Sequence, residues 1–245
     1  MSTNILKAEA IKLRSLASTW WFLGIAAVVS LLFSAFAVTQ PVDTDTSGIA
    51  EAMAGPGLGQ LLLTLLAARS ATQEFRTGTI WASHLAIPSW PKLLIGKAAV
   101  AALLTALAGT ALVIGGLITA VLADSTADLA PSSVLEWRQI LAVPVACAIC
   151  AVLGVAVGVL LKSDGAAITV LLLWTLAGEP IMGALAEWLL GIDIGAWLPF
   201  VALSDFVGQP GAPFPGGPYT AGLYVAALAA ALMIAAIRVQ SRREP

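Results

Sequence analysis

Few side chains in this 245-residue chain can make or break bonds. His84 is the one histidine, and Cys147 and Cys150 are the two cysteines. That set is too small for a structural zinc site, which takes four Cys or His ligands. The two thiols sit three residues apart inside an apolar run, where cysteine packs as a small hydrophobe on one helix face; the alternative is a redox Cys-x-x-C. His84 lies in a polar loop with no Ser, Cys or Asp arranged beside it as nucleophile, base and orienter, so it reads as a solvated histidine. No G-x-x-x-x-G-K-[ST] occurs, because Gly96-Lys97 lacks both the upstream glycine and the following hydroxyl. The chain has no catalytic set, no metal site and no P-loop of its own.

The elements that would position any site are set by composition. Hydrophobic residues make up 59% of the chain and charged ones 11%, against about 25% charge in a soluble domain. The apolar residues fall in runs of roughly 20, the length that crosses the bilayer's hydrocarbon core as a helix. One run extends from Trp20-Trp21 to about Val38, a second from Met53 to about Ala71, a third from Leu93 to Ala123, a fourth from Gln139 to Leu161, and the last from Tyr219 to Ile237. A fifth crossing starts at Gly165 and either continues through Glu179-Pro180 to about Leu190 or breaks there. The reading is an all-α polytopic membrane protein forming a single domain over residues 1–245. With a formal net charge of −2, it has no basic excess for nucleic acid.

If the crossings alternate, all of the twelve Lys and Arg residues except Arg138 fall on one side, and all but four of the fourteen acids fall on the other. By the positive-inside rule both termini are cytoplasmic, and six crossings fit. Trp20 and Trp21 stand at the inner boundary, with Trp137, Trp188, Trp197 and Tyr219 toward the outer one, as an aromatic belt predicts. A cleaved signal peptide ending at Ala35-Phe36-Ala37 is the competing reading of the first run. Residues 3–18 place Ile5, Leu6, Leu13 and Leu16 on one helical face with Lys7 and Arg14 opposite, which predicts a helix lying in the inner interface. Glu9 interrupts that apolar face.

Three further segments stand out. Glu179 costs roughly 2.5–3.5 kcal/mol if it sits at the centre of a membrane helix, so it would face a cavity, a partner or the translocation path. The bland alternative is that Pro180 opens a short outer re-entrant helix, within an outer segment 179–218, and Glu179 caps it near water. Gly154 and Gly158 form a G-x-x-x-G where helices can approach closely, within the chain or at a dimer seam. The segment 73–92 contains Glu74, Phe75, Arg76, Gly78, Thr79, Trp81, Pro88 and Lys92. It mixes charge, aromatics and turn formers, and a short projecting helix there would present Phe75 and Trp81 beside Glu74 and Arg76 as a protein interface. An ordinary solvated loop has the same composition.

Ala8-Glu9, Lys12-Leu13-Arg14-Ser15 and Ser18-Thr19-Trp20-Trp21 precede the first run. Glu74-Phe75-Arg76-Thr77-Gly78-Thr79 follow the second, and Pro88, Lys92 and Lys97 come next. This pattern resembles the type-2 permease family of ATP-binding cassette (ABC) transporters across nearly the whole chain, although Trp90-Pro91 stands where that family usually has a basic residue. The resemblance implies that residues 73–92 include a coupling helix docking on a separate ATPase subunit, which binds ATP and Mg. It further implies that residues 3–18 match the connecting helix and that a second permease subunit completes the path. The implied activity is export of a drug, lipid or other amphipathic molecule across the cytoplasmic membrane, with no cofactor in this chain. An ion-coupled secondary transporter is the alternative, but it predicts several buried carboxylates and inverted repeats that the sequence does not display. An intramembrane enzyme would need a nucleophile or metal set at membrane depth.

Overall fold

The computed structural model describes residues 3–39, 48–87, 89–123 and 129–242. Asp43, Asp45, Pro88, Asp124, Asp128, Arg243 and Glu244, which enter the sequence argument, lie outside the described residues. The described residues are 87% helical, with no strand among them. In chain order the helices are α1 (Thr3–Ser15), α2 (Ala17–Thr39), α3 (Gly48–Ala52), α4 (Ala54–Arg76), α5 (Thr79–Ala86), α6 (Trp90–Ala123) and α7 (Val134–Leu161). There follow α8 (Asp164–Leu173), a π-helical turn (Trp174–Gly178), α9 (Glu179–Leu190), a 3-10 turn (Gly195–Trp197), α10 (Pro199–Val207) and α11 (Pro218–Ser241).

Six helical stretches are long and apolar enough to cross a bilayer: Ala17–Thr39, Gly48–Arg76, Trp90–Ala123, Val134–Leu161, Asp164–Leu190 and Pro218–Ser241. The protein is a polytopic helical membrane protein. Its helices overrun the apolar runs, because backbone hydrogen bonding continues past the point where side chains stop being apolar. The second run thins out near Ala71, yet α4 continues to Arg76, whose charge suits the negative end of the helix dipole.

The core forms around α4 and α7, each of which buries 56% of its most apolar stretch inside the chain, whereas the fifth crossing buries 11%. Small residues let the two central helices touch. A Cβ on Gly154 would lie 2.5 Å from the Thr64 carbonyl oxygen, and one on Gly158 would lie 2.5 Å from that of Ala68, so this G-x-x-x-G packs within the chain against α4. Both cysteines are buried free thiols on α7. Cys150 accepts a hydrogen bond from Gln60 of α4, and the Cys147 carbonyl accepts one from Thr105 of α6.

The fifth crossing does not break at Glu179-Pro180. The Glu179 N–H donates to the Trp174 carbonyl five residues back, and this widened turn carries the helix past the proline. In an ordinary turn the proline ring would strike the carbonyl four residues earlier. Pro180 therefore does not open a separate re-entrant helix. The short separate helix before the last crossing is α10.

Candidate functional site

Four charged side chains from three helices meet at the end of the bundle where the basic residues gather. Lys97 lies two turns into α6 and is only 4% exposed. Its ammonium donates to Glu9 Oε2 of α1 at 2.7 Å and to Glu74 Oε1 of α4 at 2.7 Å. Lys12 of α1 donates to Glu9 Oε1 at 2.7 Å, to Glu74 Oε1 at 3.0 Å and to the Ser83 hydroxyl of α5 at 3.0 Å. Two lysines and two glutamates thus tie four helices together.

Charges removed from water are tolerated only when partnered. Burial by itself would raise the Glu9 carboxyl, but the Lys97 charge and the hydrogen bonds from Lys12 and Lys97 outweigh it and hold the group below its ordinary 4.5. Burial by itself would lower Lys12, and the hydrogen bond and charge of Glu9, followed by those of Glu74, hold it above 10.5 instead.

The expectation that Glu74 and Phe75 face outward as a grip does not hold. Helical periodicity puts Glu74 on the face that already carries Leu63, Leu66, Ala67, Ser70 and Ala71, all buried, and Glu74 is 7% exposed. Phe75 is half-buried, with the Lys162 ammonium 5.3 Å from its ring centroid. Arg76, Gly78, Thr79, Trp81 and Lys92 do face outward.

The short helix that follows is α5. Gly78 turns the chain into it at φ 70, a left-handed conformation that glycine adopts without a Cβ clash. Ile80 is the residue that α5 buries against the bundle. His84 stacks on Trp90 at 4.3 Å between ring centroids, and Trp81 meets the same Trp90 edge-on at 6.2 Å. His84 is therefore part of a helix braced against the start of α6, not a solvated loop residue, since an amphipathic turn over a buried Trp outcompetes solvation. The outer face of α5 carries Trp81 at 56% and Leu85 at 84% exposure. A second, weaker tie joins the same end: Arg76 Nε lies 3.5 Å from Asp164 Oδ2, and Thr72 hydrogen-bonds to Asp164 at the start of α8.

At the opposite end Glu179 is 2% exposed, and its carboxylate is held by backbone amides. The Phe200 N–H donates to both oxygens, at 2.9 and 3.1 Å, and the Val201 N–H donates to Oε2 at 3.1 Å. The Trp174 indole N–H completes the set at 3.0 Å. These amides are the open N-terminus of α10, so Glu179 caps a helix twenty residues away in sequence rather than its own. Next to it lies a cavity of about 170 Å3, lined in part by Gln60, Thr175, Ser204 and Gln209.

Sequence reasoning missed the role of Lys97 and the pairing of Glu9. The signal was present as the interruption of the apolar face of α1 by Glu9 and a cation inside the third run. No protein-family model and no curated protein matches this chain.

Proposed function

We propose that this protein is the membrane permease subunit of an ABC exporter, moving an amphipathic molecule across the cytoplasmic membrane with ATP hydrolysed on a separate subunit. The observation that carries the reading is α5. It is a short helix between the second and third crossings, apolar on its outward face and anchored through Ser83 and Trp90 to α1 and α6. A push on such a helix displaces four elements together, which mechanical coupling requires; a floppy loop would absorb it. The basic residues at this end support a cytoplasmic side for α5 and both termini, with α1 lying in the inner interface. The little-buried fifth crossing leaves surface for a second permease subunit. The cavity that Phe200 shares with the Glu179 cap is mostly apolar, with Gln60, Thr175, Ser204 and Gln209 as its polar groups, which suits an amphipathic substrate passing the outer half.

Leu85 is the residue with which to test it, because it touches least within the chain. Leu85→Asp abolishes co-purification with the ABC ATPase subunit co-expressed as its partner, while the thermal midpoint of the isolated permease stays unchanged. Co-purification at full yield would remove α5 as the docking element.

A further inference from the structure

Between α1 and the end of α4 lies a cavity of about 310 Å3, bounded by Leu13 and Leu16 on one side and by Ser70, Glu74 and Lys97 on the other. That volume is in the range of small-ligand pockets, about 300–1,000 Å3. Its walls are of two kinds, an apolar one from the face of α1 and a charged one from the ion network. The network is not complete. Glu74 Oε2 is buried and accepts no hydrogen bond among the described residues, although Oε1 of the same carboxylate accepts two. A buried carboxylate oxygen without a donor is costly, and the group that relieves it must bring N–H or O–H.

We infer that this cavity binds the headgroup of a primary-ammonium lipid of the leaflet that the basic residues face, with phosphatidylethanolamine as the chemical class. Charge selects a zwitterion: Glu9, Glu74, Lys12 and Lys97 already sum to zero, so a lone cation would leave the site with net charge and a zwitterion does not. The ammonium approaches the Glu74 carboxylate, a lining group of the cavity, and on binding the side chain turns Oε2, which has no donor among the described residues, toward it. The phosphate lies toward Lys12, whose side chain is 40% exposed. The acyl chains pass Leu16 toward α2, where Trp20 and Trp21 stand exposed at the level of the headgroups. A choline headgroup has the same charge but no N–H, so it cannot satisfy Glu74. The lipid would complete the brace between α1 and α4, and this inference stands whether or not an ATPase docks on α5.

The test uses the full chain in nanodiscs of equal phosphatidylethanolamine and phosphatidylcholine, with retained lipids counted by native mass spectrometry. The unaltered chain retains the ethanolamine lipid over the choline lipid by about tenfold, the ratio that one charge-assisted hydrogen bond supports. Leu16→Trp fills the cavity without touching the ion network and removes the preference, as does Glu74→Gln; if the latter does not fold, the former decides. Free phosphoethanolamine fails to displace the lipid. Equal retention of the two lipids by the unaltered chain overturns the inference, as does a preference that survives Leu16→Trp. Displacement by phosphoethanolamine would reassign the cavity to a soluble amine. Loss of ATPase-subunit binding in Leu16→Trp, with no lipid preference in the parent, would reassign it to a partner's side chain.

Discussion

The two ends of the molecule hold their buried carboxylates in different ways. At the basic end Glu9 and Glu74 are neutralised by the ammonium groups of Lys12 and Lys97, and the four side chains join α1, α4, α5 and α6. At the other end Glu179 has no cation partner among the described residues; the amides of Phe200 and Val201 and the Trp174 indole hold it, and it joins the fifth crossing to α10. A network of full charges is shared, so losing one member strands the others. A helix N-terminus supplies only a fraction of a charge over one turn, and its effect stays local. The first arrangement suits a part of the molecule that must move as one body. The second suits a small element that can shift by itself.

The sharpest way to break this comparison is Lys97→Met. It leaves two buried carboxylates sharing one lysine, and we expect a loss of about 3–5 kcal/mol, read as a lowered thermal unfolding midpoint in detergent. The double variant Glu9→Met/Lys97→Met removes one charge of each sign and recovers a large part of that loss, so the coupling in the double-mutant cycle measures how far the network is shared. A silent Lys97→Met would show that the network holds nothing.

Glu179→Ala is expected to cost less, about 1–3 kcal/mol, because the amides it orphans belong to one helix end. Its mark is local. A cysteine at Gly211 becomes more reactive to a thiol reagent in this variant, while one in α5 does not; equal changes at both ends would erase the contrast.

The smallest effect is the pH dependence of the basic end. Glu9 is depressed, so its contribution is complete above 4.5 and is lost as pH falls through its lower folded value. Lys12 is raised, so its contribution is complete below 10.5 and is lost as pH rises through its higher folded value. Attachment of α1, followed by the fluorescence of Trp20 and Trp21, should therefore be flat between these limits and decline outside them. A transition near neutrality would contradict the assignment.

Much of the architecture was legible in the residues. The six crossings follow from runs whose apolarity needs no partner to be recognised, and the gathering of Lys and Arg at alternate ends needs only counting. Gly154 and Gly158 announce close helix contact, although not which helix they meet. The site was less legible. Glu74 read as part of an exposed grip because its neighbours Gln73, Arg76 and Thr77 are polar, yet α4 continues under it and turns it inward. Glu179 read as a cap for the helix that follows it in sequence, because capping is ordinarily local; the π turn at Trp174–Gly178 keeps that helix unbroken and leaves the carboxylate free to cap α10.

Sequence by itself determined that this chain spans a bilayer six times as helices, since transfer into hydrocarbon is a sum over residues within one segment. Only the tertiary structure decided that Glu9, Lys12, Glu74 and Lys97 form one network and that Glu179 belongs to α10. Such pairings depend on how far each helix is shifted and rotated against its neighbours, and that is fixed by packing between segments far apart in the chain.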